Sequence, residues 1–240
     1  MIRNFLFITF LLLQLSYCLS EPVGSISSST NLFRSAGQIR LSALHNGVDG
    51  KLILLIDNRL PDGIAAWEYL DSVGNDSALQ NAVLIILSQK GDTIFTEKLE
   101  KPAAWLQLTD TIEDSPTWVA IAVDYSIGMG SYNGPVTSFL RVKDAKIEWL
   151  QATDAATNEL EKISLMRSLK TEWRLIQTHP PQILKVACRP DFEKGNDMFK
   201  LIYTRYSLKK ARWYKYERVE NGYLDFENES DFPPASKFPK

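Results

Sequence analysis

The stretch IRLSALHNGVDGKLILLID, residues 39–57, carries the pattern on which the fold prediction rests. Two apolar runs, residues 39–44 and 51–57, flank the polar segment HNGVDG at residues 45–50. Asn-Gly and Asp-Gly pairs adopt positive φ angles at little cost, so a turn that contains both favours a β-hairpin. The stretch therefore predicts two antiparallel strands joined by a short loop.

The same arrangement of two apolar runs around a polar turn recurs three times, with turns at residues 89–92, 143–145 and 207–211. Further apolar runs rich in β-forming residues lie at residues 117–123 and 183–188. Strands at this spacing predict a mainly β fold. We expect an antiparallel meander, a sandwich or a barrel-like sheet, with one or two short helices. A small β-propeller is the alternative, although no blade motif repeats along the chain.

Two segments carry helical patterns. Residues 64–73, IAAWEYLDSV, predict a short helix. In residues 157–169, Thr157 is a candidate N-cap, and Glu159 and Glu161 fall in the first turn, where the helix dipole favours acidic side chains. Part of this segment also alternates apolar and polar side chains, which is typical of a strand. The sequence leaves helix and strand open for residues 157–169.

The N-terminal residues have the layout of an export signal. Arg3 precedes an apolar run at residues 5–15, and the small residues Cys18 and Ser20 lie three and one positions before the expected cleavage site. This layout is typical of a secretory signal peptide. The apolar run is shorter than the roughly 20 residues of a membrane anchor, and the tyrosine before Cys18 disfavours a lipoprotein signal. We expect residues 1–20 to be removed and the mature protein to be secreted or periplasmic, without an integral membrane span.

The expected domain organisation follows from changes in composition. Residues 21–37 are rich in serine and glycine and predict a flexible lead-in. Residues 38–231 predict a single β-rich domain, with a division into two subdomains near residues 152–180 as an alternative. Residues 232–240 contain two Phe-Pro pairs. Because proline cannot continue a strand ladder, they predict an irregular tail that its two phenylalanines staple to the body.

Composition and motifs exclude several classes of function. The formal net charge of −2 argues against a dedicated nucleic-acid binder. Cys188 is the cysteine that remains after signal cleavage, so no intrachain disulfide is expected. The chain has no zinc motif and no calcium loop, and we expect neither a metal nor a cofactor. The glycines of residues 128–134, GMGSYNG, are not followed by a helix pattern, so no nucleotide site is expected.

A basic, aromatic hairpin is the leading candidate for a binding surface. Residues 199–218, FKLIYTRYSLKKARWYKYER, contain seven basic side chains against one acidic residue, Glu217. Aromatic rings interleaved with cations can hold an anionic polymer or a partner. The candidate contact residues are Tyr203, Arg205, Lys209, Lys210, Arg212, Trp213 and Tyr214. A fold-back of the acidic residues that follow in the chain would neutralise part of this surface.

The glycine-rich loop is a second candidate surface. Glycines let a ligand or partner approach the backbone closely. The residues that would make such contacts are Gly128, Gly130, Ser131 and Tyr132. If this loop protrudes, the chain fits an inhibitor or immunity-type protein that blocks a foreign enzyme.

Paired carboxylates provide the enzymatic alternative. Asp57 and Asp124 each end a strongly apolar run. Two carboxylates about 5 to 10 Å apart can hydrolyse a glycosidic bond, and this arrangement would make the protein a hydrolase. Aspartate also ends strands through an Asx-turn with its own backbone, which explains both residues without any catalysis.

With no catalytic motif recognised, the sequence favours a non-catalytic binding module over an enzyme. We expect the module to be exported and to bind an anionic envelope polymer or a protein partner through the basic, aromatic hairpin. The hydrolase and the inhibitor are the alternatives.

Overall fold

The structure is a computed structural model. It describes residues 32–41, 49–61, 69, 72, 79–100, 104–105, 111–112, 118–124, 131–132, 134–195 and 198–240. The expected signal peptide lies outside the described residues, as does most of the helix predicted at residues 64–73. Tyr69 and Ser72 of that predicted helix are described and have helical backbone.

The first of three sheets is a four-stranded antiparallel meander. Its strands are β1 (Phe33–Arg40), β2 (Gly50–Asp57), β3 (Val83–Ser88) and β4 (Thr93–Lys98). Strand β1 begins inside the lead-in predicted for residues 21–37, so that prediction is wrong from Phe33 onward. Pairing with β2 satisfies the backbone of this serine- and glycine-containing segment, which composition alone did not indicate.

The second and third sheets hold the remaining strands. The second contains β5 (Ala104–Trp105), β6 (Thr111–Ile112), β7 (Trp118–Asp124), β8 (Pro135–Lys143), β9 (Lys146–Trp149) and β12 (Ser164–Met166). The third contains β10 (Gln151–Asp154), β11 (Leu160–Lys162), β13 (Thr171–Ile176), β14 (Gln182–Pro190), β15 (Phe199–Lys209) and β16 (Arg212–Asn221). Pairing is antiparallel throughout the third sheet, except that β10 runs parallel to β16.

The second sheet is covered on both faces. Val119 and Ile121 of β7 belong to a core shared with the first sheet, whereas Trp118 and Ala120 belong to a core shared with the third sheet. Alternate residues of a strand point to opposite faces. Residues 118–122 of β7 are therefore all apolar, because both faces of this strand are buried.

The chain crosses from the second sheet to the third at Leu150 and returns at Ile163. The Ile163 N–H donates to the Leu150 carbonyl at 2.9 Å, and the Leu150 N–H donates to the Phe139 carbonyl at 2.8 Å. Both crossing side chains are buried in the core between the two sheets. The crossing ties the two sheets together through the backbone as well as through side-chain packing.

Residues 157–169 form the strands β11 and β12 around this crossing. The helical alternative is therefore wrong, and the strand alternative is confirmed. Ile163 and Leu165 are buried two positions apart, as a strand requires, whereas Leu160 is exposed. Strand β11 pairs with β10, and β12 pairs with β8. These pairings stabilise the strands more than the N-cap and the acidic first turn would stabilise a helix.

The fold class is confirmed as mainly β, with antiparallel sheets of the meander or sandwich type. The three sheets do not close into a barrel within the part of the chain that is described. They share extended cores and do not form the separate blades of a propeller. Among the same residues, no helix combines the length and the apolar content needed to cross a membrane.

The C-terminal tail packs on the third sheet, as predicted. Phe238 is buried, lies edge-on to Tyr203 with ring centroids 5.4 Å apart, and stacks on Phe232 at 5.6 Å. The tail and the sheet share an apolar cluster that includes Cys188. Residues 232–240 are irregular apart from a short 3-10 turn, Ala235–Lys237.

Two hairpins turn through left-handed residues that are not glycine. Asp144 and Ala145 have φ angles of 49° and 57°, and Lys210 and Ala211 have φ angles of 49° and 62°. Each pair is the whole loop between two strands. Glycine is favoured in such turns because a Cβ atom disfavours this conformation.

We expect Ala145→Gly and Ala211→Gly each to raise the free energy of unfolding by about 0.5 to 1 kcal/mol. Relief of left-handed strain, about 1 to 2 kcal/mol, exceeds the extra backbone entropy that glycine loses on folding, about 0.5 to 1 kcal/mol. Urea denaturation measures both changes. Ala152→Gly, within buried strand β10, is the matched control and should destabilise. Destabilisation by both turn variants would contradict the strained-turn interpretation.

Candidate functional site

The third sheet divides the side chains of the predicted basic hairpin between two faces. We call the face that packs on the second sheet the inner face, and the face covered by the tail the outer face. On the outer face lie Tyr203, Arg205, Tyr214, Tyr216 and Arg218. On the inner face lie Trp213, Lys215 and Glu217. Rings and cations that are adjacent in sequence are thus separated by the two-residue period of the strand.

The tail removes Tyr203 and Arg205 from the candidate surface. Tyr203 is 3% exposed, and its hydroxyl donates to Glu220 Oε1 at 2.8 Å. Burial, together with this hydrogen bond, raises the pKa of Tyr203 to about 12. Arg205 Nη2 donates to the carbonyl of Ala235 at 3.0 Å. The prediction that these two residues contact a ligand gains no support, because the tail covers Tyr203 and holds Arg205.

The prediction that Trp213 is a contact residue gains no support either. This tryptophan is 6% exposed and belongs to the core between the second and third sheets. Trp213 lies in a strongly basic stretch, so its neighbours in the sequence do not indicate that its side chain points inward. The strand register decides this orientation.

Lys215 lies in a cluster of acidic side chains on the inner face. Its Nζ lies 3.2 Å from Asp154, 3.1 Å from Glu161 and 3.5 Å from Glu217. Burial disfavours the charged amine, but hydrogen bonds with Glu161 and Asp154 outweigh burial and raise the pKa of Lys215. Two of these carboxylates come from the β10–β11 hairpin, which is distant in the chain, so no local sequence pattern indicates that this lysine is neutralised.

The tip of the β15–β16 hairpin keeps its positive charge exposed. We call this surface the tip patch; its members are Lys209, Lys210, Arg212, Tyr214 and Tyr216. The three cations are exposed and the two rings are half-buried. Lys209 Nζ donates to the Tyr216 hydroxyl at 2.8 Å and lies 4.5 Å from the centre of its ring. None of the three cations forms an ion pair with a described residue.

The described end of the glycine-rich loop is packed against the third sheet. The Lys170 N–H donates to the Ser131 carbonyl at 3.1 Å. The guanidinium of Arg189 lies 5.4 Å from the centre of the half-buried Tyr132 ring. Ser131 and Tyr132 therefore do not protrude, and they give no support to an inhibitory loop. Gly128 and Gly130 lie outside the described residues.

Gly134, which ends this loop, is required for close packing. A Cβ atom at this position would lie 1.9 Å from the carbonyl oxygen of Arg167. The backbone directly before β8 therefore approaches Arg167, the residue after β12, at a distance that only glycine permits.

Asp57 is a structural residue at the end of β2. Four hydrogen bonds reach its carboxylate, three from Arg59 and one from the Gln80 N–H. Burial would raise the pKa of Asp57, but these hydrogen bonds and the charge of Arg59 hold it below the ordinary value. A carboxylate with both oxygens occupied is poorly placed to act as an acid or a base. Asp124 ends β7, and its side chain is not among the described ones, so the proposed pair gains no support.

Metal binding and cysteine chemistry find no support in the described residues. They contain no group of three or more His, Cys, Asp or Glu side chains placed to hold a metal. Cys188 is buried in the cluster beneath the tail. Comparisons of the chain with protein family models, with curated proteins and with solved structures gave no significant match.

We expect Asp57→Asn to lower the free energy of unfolding by about 2 kcal/mol at neutral pH. The amide keeps the side-chain shape but turns a donor towards the Gln80 or Arg59 N–H groups. Because the pKa of Asp57 is lowered in the folded protein, its contribution is present above the ordinary value of about 3.9 and is lost as the pH falls through the folded pKa. Urea denaturation between about pH 7 and pH 3 should therefore show the difference shrinking. A difference that is independent of pH would contradict this role.

Proposed function

We propose that the protein is an exported, non-catalytic binding module that holds an anionic polymer of the cell envelope through the tip patch. The observation that carries the proposal is a contrast within one hairpin. Lys215 and Arg218 are paired with carboxylates, and Arg205 is bound to the tail. The three cations of the tip patch stay exposed without a carboxylate partner among the described residues.

A polyanion fits this surface better than a single small ion. Three flexible cations at the end of a hairpin offer several charges and no enclosing walls, and repeated anionic groups can engage them together. Tyr214 and Tyr216 lie beside the cations and can pack against the polymer's uncharged parts. Binding of this kind depends on salt, because exposed charges are screened beyond about 8 Å at physiological ionic strength.

Export is supported by the pattern of the first twenty residues and by the state of the remaining cysteine. A free thiol in an oxidising compartment is prone to disulfide exchange when it is exposed. Cys188 is buried under the tail, which protects it. A module without disulfides then depends on its apolar cores for stability.

We expect the triple variant Lys209→Glu, Lys210→Glu, Arg212→Glu to abolish salt-sensitive retention on immobilised heparin, used as a model polyanion, and on isolated envelope fractions. Each reversal removes about 0.5 to 1 kcal/mol of attraction, so the combined loss is at least about tenfold in affinity. Salt-gradient elution and co-sedimentation measure the change.

The matched control is Lys90→Glu, Lys143→Glu, Lys146→Glu, which reverses three exposed lysines within or directly beside hairpin turns of the other two sheets. It changes the net charge by the same amount and should keep more of the retention. Equal losses in the two triple variants would show that net charge, rather than the tip patch, causes binding. An unmodified protein that no envelope fraction retains would overturn the proposal.

Export has its own test. Mass spectrometry of the native protein should find a mature N-terminus near Glu21, in the periplasmic or culture fraction. An intact Met1 in the cytosolic fraction would contradict export without affecting the binding test.

A further inference from the structure

The inner face of the third sheet carries two neighbouring rows of side chains that differ in character. Cross-strand pairing sets Trp173, Lys185, Thr204 and Glu217 in one row. The next row, two residues along each strand, contains Thr171, Ala187, Ile202 and Val219. Directly opposed side chains in such rows have Cβ atoms about 5 Å apart, so the two rows form one continuous surface.

Three polar groups on this surface lack partners. Lys185 forms neither a hydrogen bond nor an ion pair with any described residue. Thr171 Oγ1 and Trp173 Nε1 are buried and have no hydrogen-bond partner within the described structure. An ammonium and an indole N–H can only donate, and a hydroxyl can donate as well. Among the described residues, Lys185, Trp173 and Thr171 therefore have donor groups on this surface without a bound acceptor.

The acidic side chains near Lys185 do not supply that acceptor. Glu217 is in the same row, but it is held by Lys215 at 3.5 Å and accepts a hydrogen bond from Thr204 at 3.1 Å. Glu161 is likewise held by Lys215. Burial lowers the pKa of Lys185, although Glu217 opposes that shift.

An apolar strip runs beside these donors. Ala187, Ile202 and Val219 follow one another across three strands, which gives a strip about 10 Å long. Val219 is 57% exposed, Ile202 is half-buried and Ala187 is 5% exposed. The strip is therefore open to solvent at the β16 end and closed at the β14 end. Arg189 lies beyond the strip on the same face of β14, two residues from Ala187.

We propose that the inner face binds a small organic anion. Its carboxylate accepts hydrogen bonds from Lys185 and the neighbouring donors, and its apolar body lies along Ile202 and Val219, the part of the strip that is not buried. This site is on the opposite face of the sheet from the tip patch, so it is independent of the proposed polymer binding.

Octanoate is the probe, because it joins one carboxylate to a chain about as long as the apolar strip. Calorimetric titration of the mature protein should show saturable binding with a Kd below about 1 mM. Amide chemical shifts should change at Ala187, Ile202 and Val219. An absence of saturable binding, or shift changes confined to other regions, would overturn the proposal.

Two variants test the assignment. Lys185→Met removes the ammonium and keeps the aliphatic stem, and should weaken octanoate binding at least tenfold. Val219→Glu places a negative charge at an exposed position of the strip and should weaken binding similarly without disturbing a core, so it serves even if Lys185→Met does not fold. Lys143→Met, at an exposed position of the second sheet outside both proposed sites, is the matched control and should bind octanoate normally. Unchanged affinity in Val219→Glu, or in a folded Lys185→Met, would refute the site.

Discussion

Burial of the second sheet on both faces is the constraint on which the rest of the structure depends. Strand β7 sends Val119 and Ile121 to one core and Trp118 and Ala120 to another. Full burial of a large apolar side chain contributes about 1.5 to 3 kcal/mol, more than an exposed ion pair, which contributes about 0 to 1 kcal/mol. The outer sheets are therefore positioned by apolar packing, and the crossing at Leu150 and Ile163 secures the third sheet through its backbone.

The two faces of the third sheet lie in different environments. The inner face packs on the second sheet at one end, where Trp173 belongs to the shared core, and carries Lys185 and other charged groups beside that core. The outer face is covered by the tail, whose Phe238 occupies the space over Tyr203. The hairpin tip is one of the described surfaces that neither the core nor the tail covers. Which charged side chains stay exposed therefore depends on which surfaces the cores and the tail cover.

The candidate sites were predictable only in part. The exposed cations of the tip patch could be found from sequence, because a turn between two strands is exposed in almost any β fold. The neutralisation of Lys215 could not, since Glu161 lies 54 positions away along the chain. The inner-face donors Thr171, Trp173 and Lys185 were missed for the same reason: each is unremarkable in sequence, and cross-strand register alone brings them together.

Local patterns in the sequence determined the hairpins, the mainly β class, the apolar central strand and the stapled tail, because turn chemistry and side-chain periodicity act between near neighbours. The tertiary structure decided that residues 157–169 form strands, that Asp57 is held by Arg59 and Gln80, and which face each cation occupies. Those outcomes depend on contacts between distant segments. A one-residue change of register would move every side chain of a strand to the other face, so no local pattern fixes them.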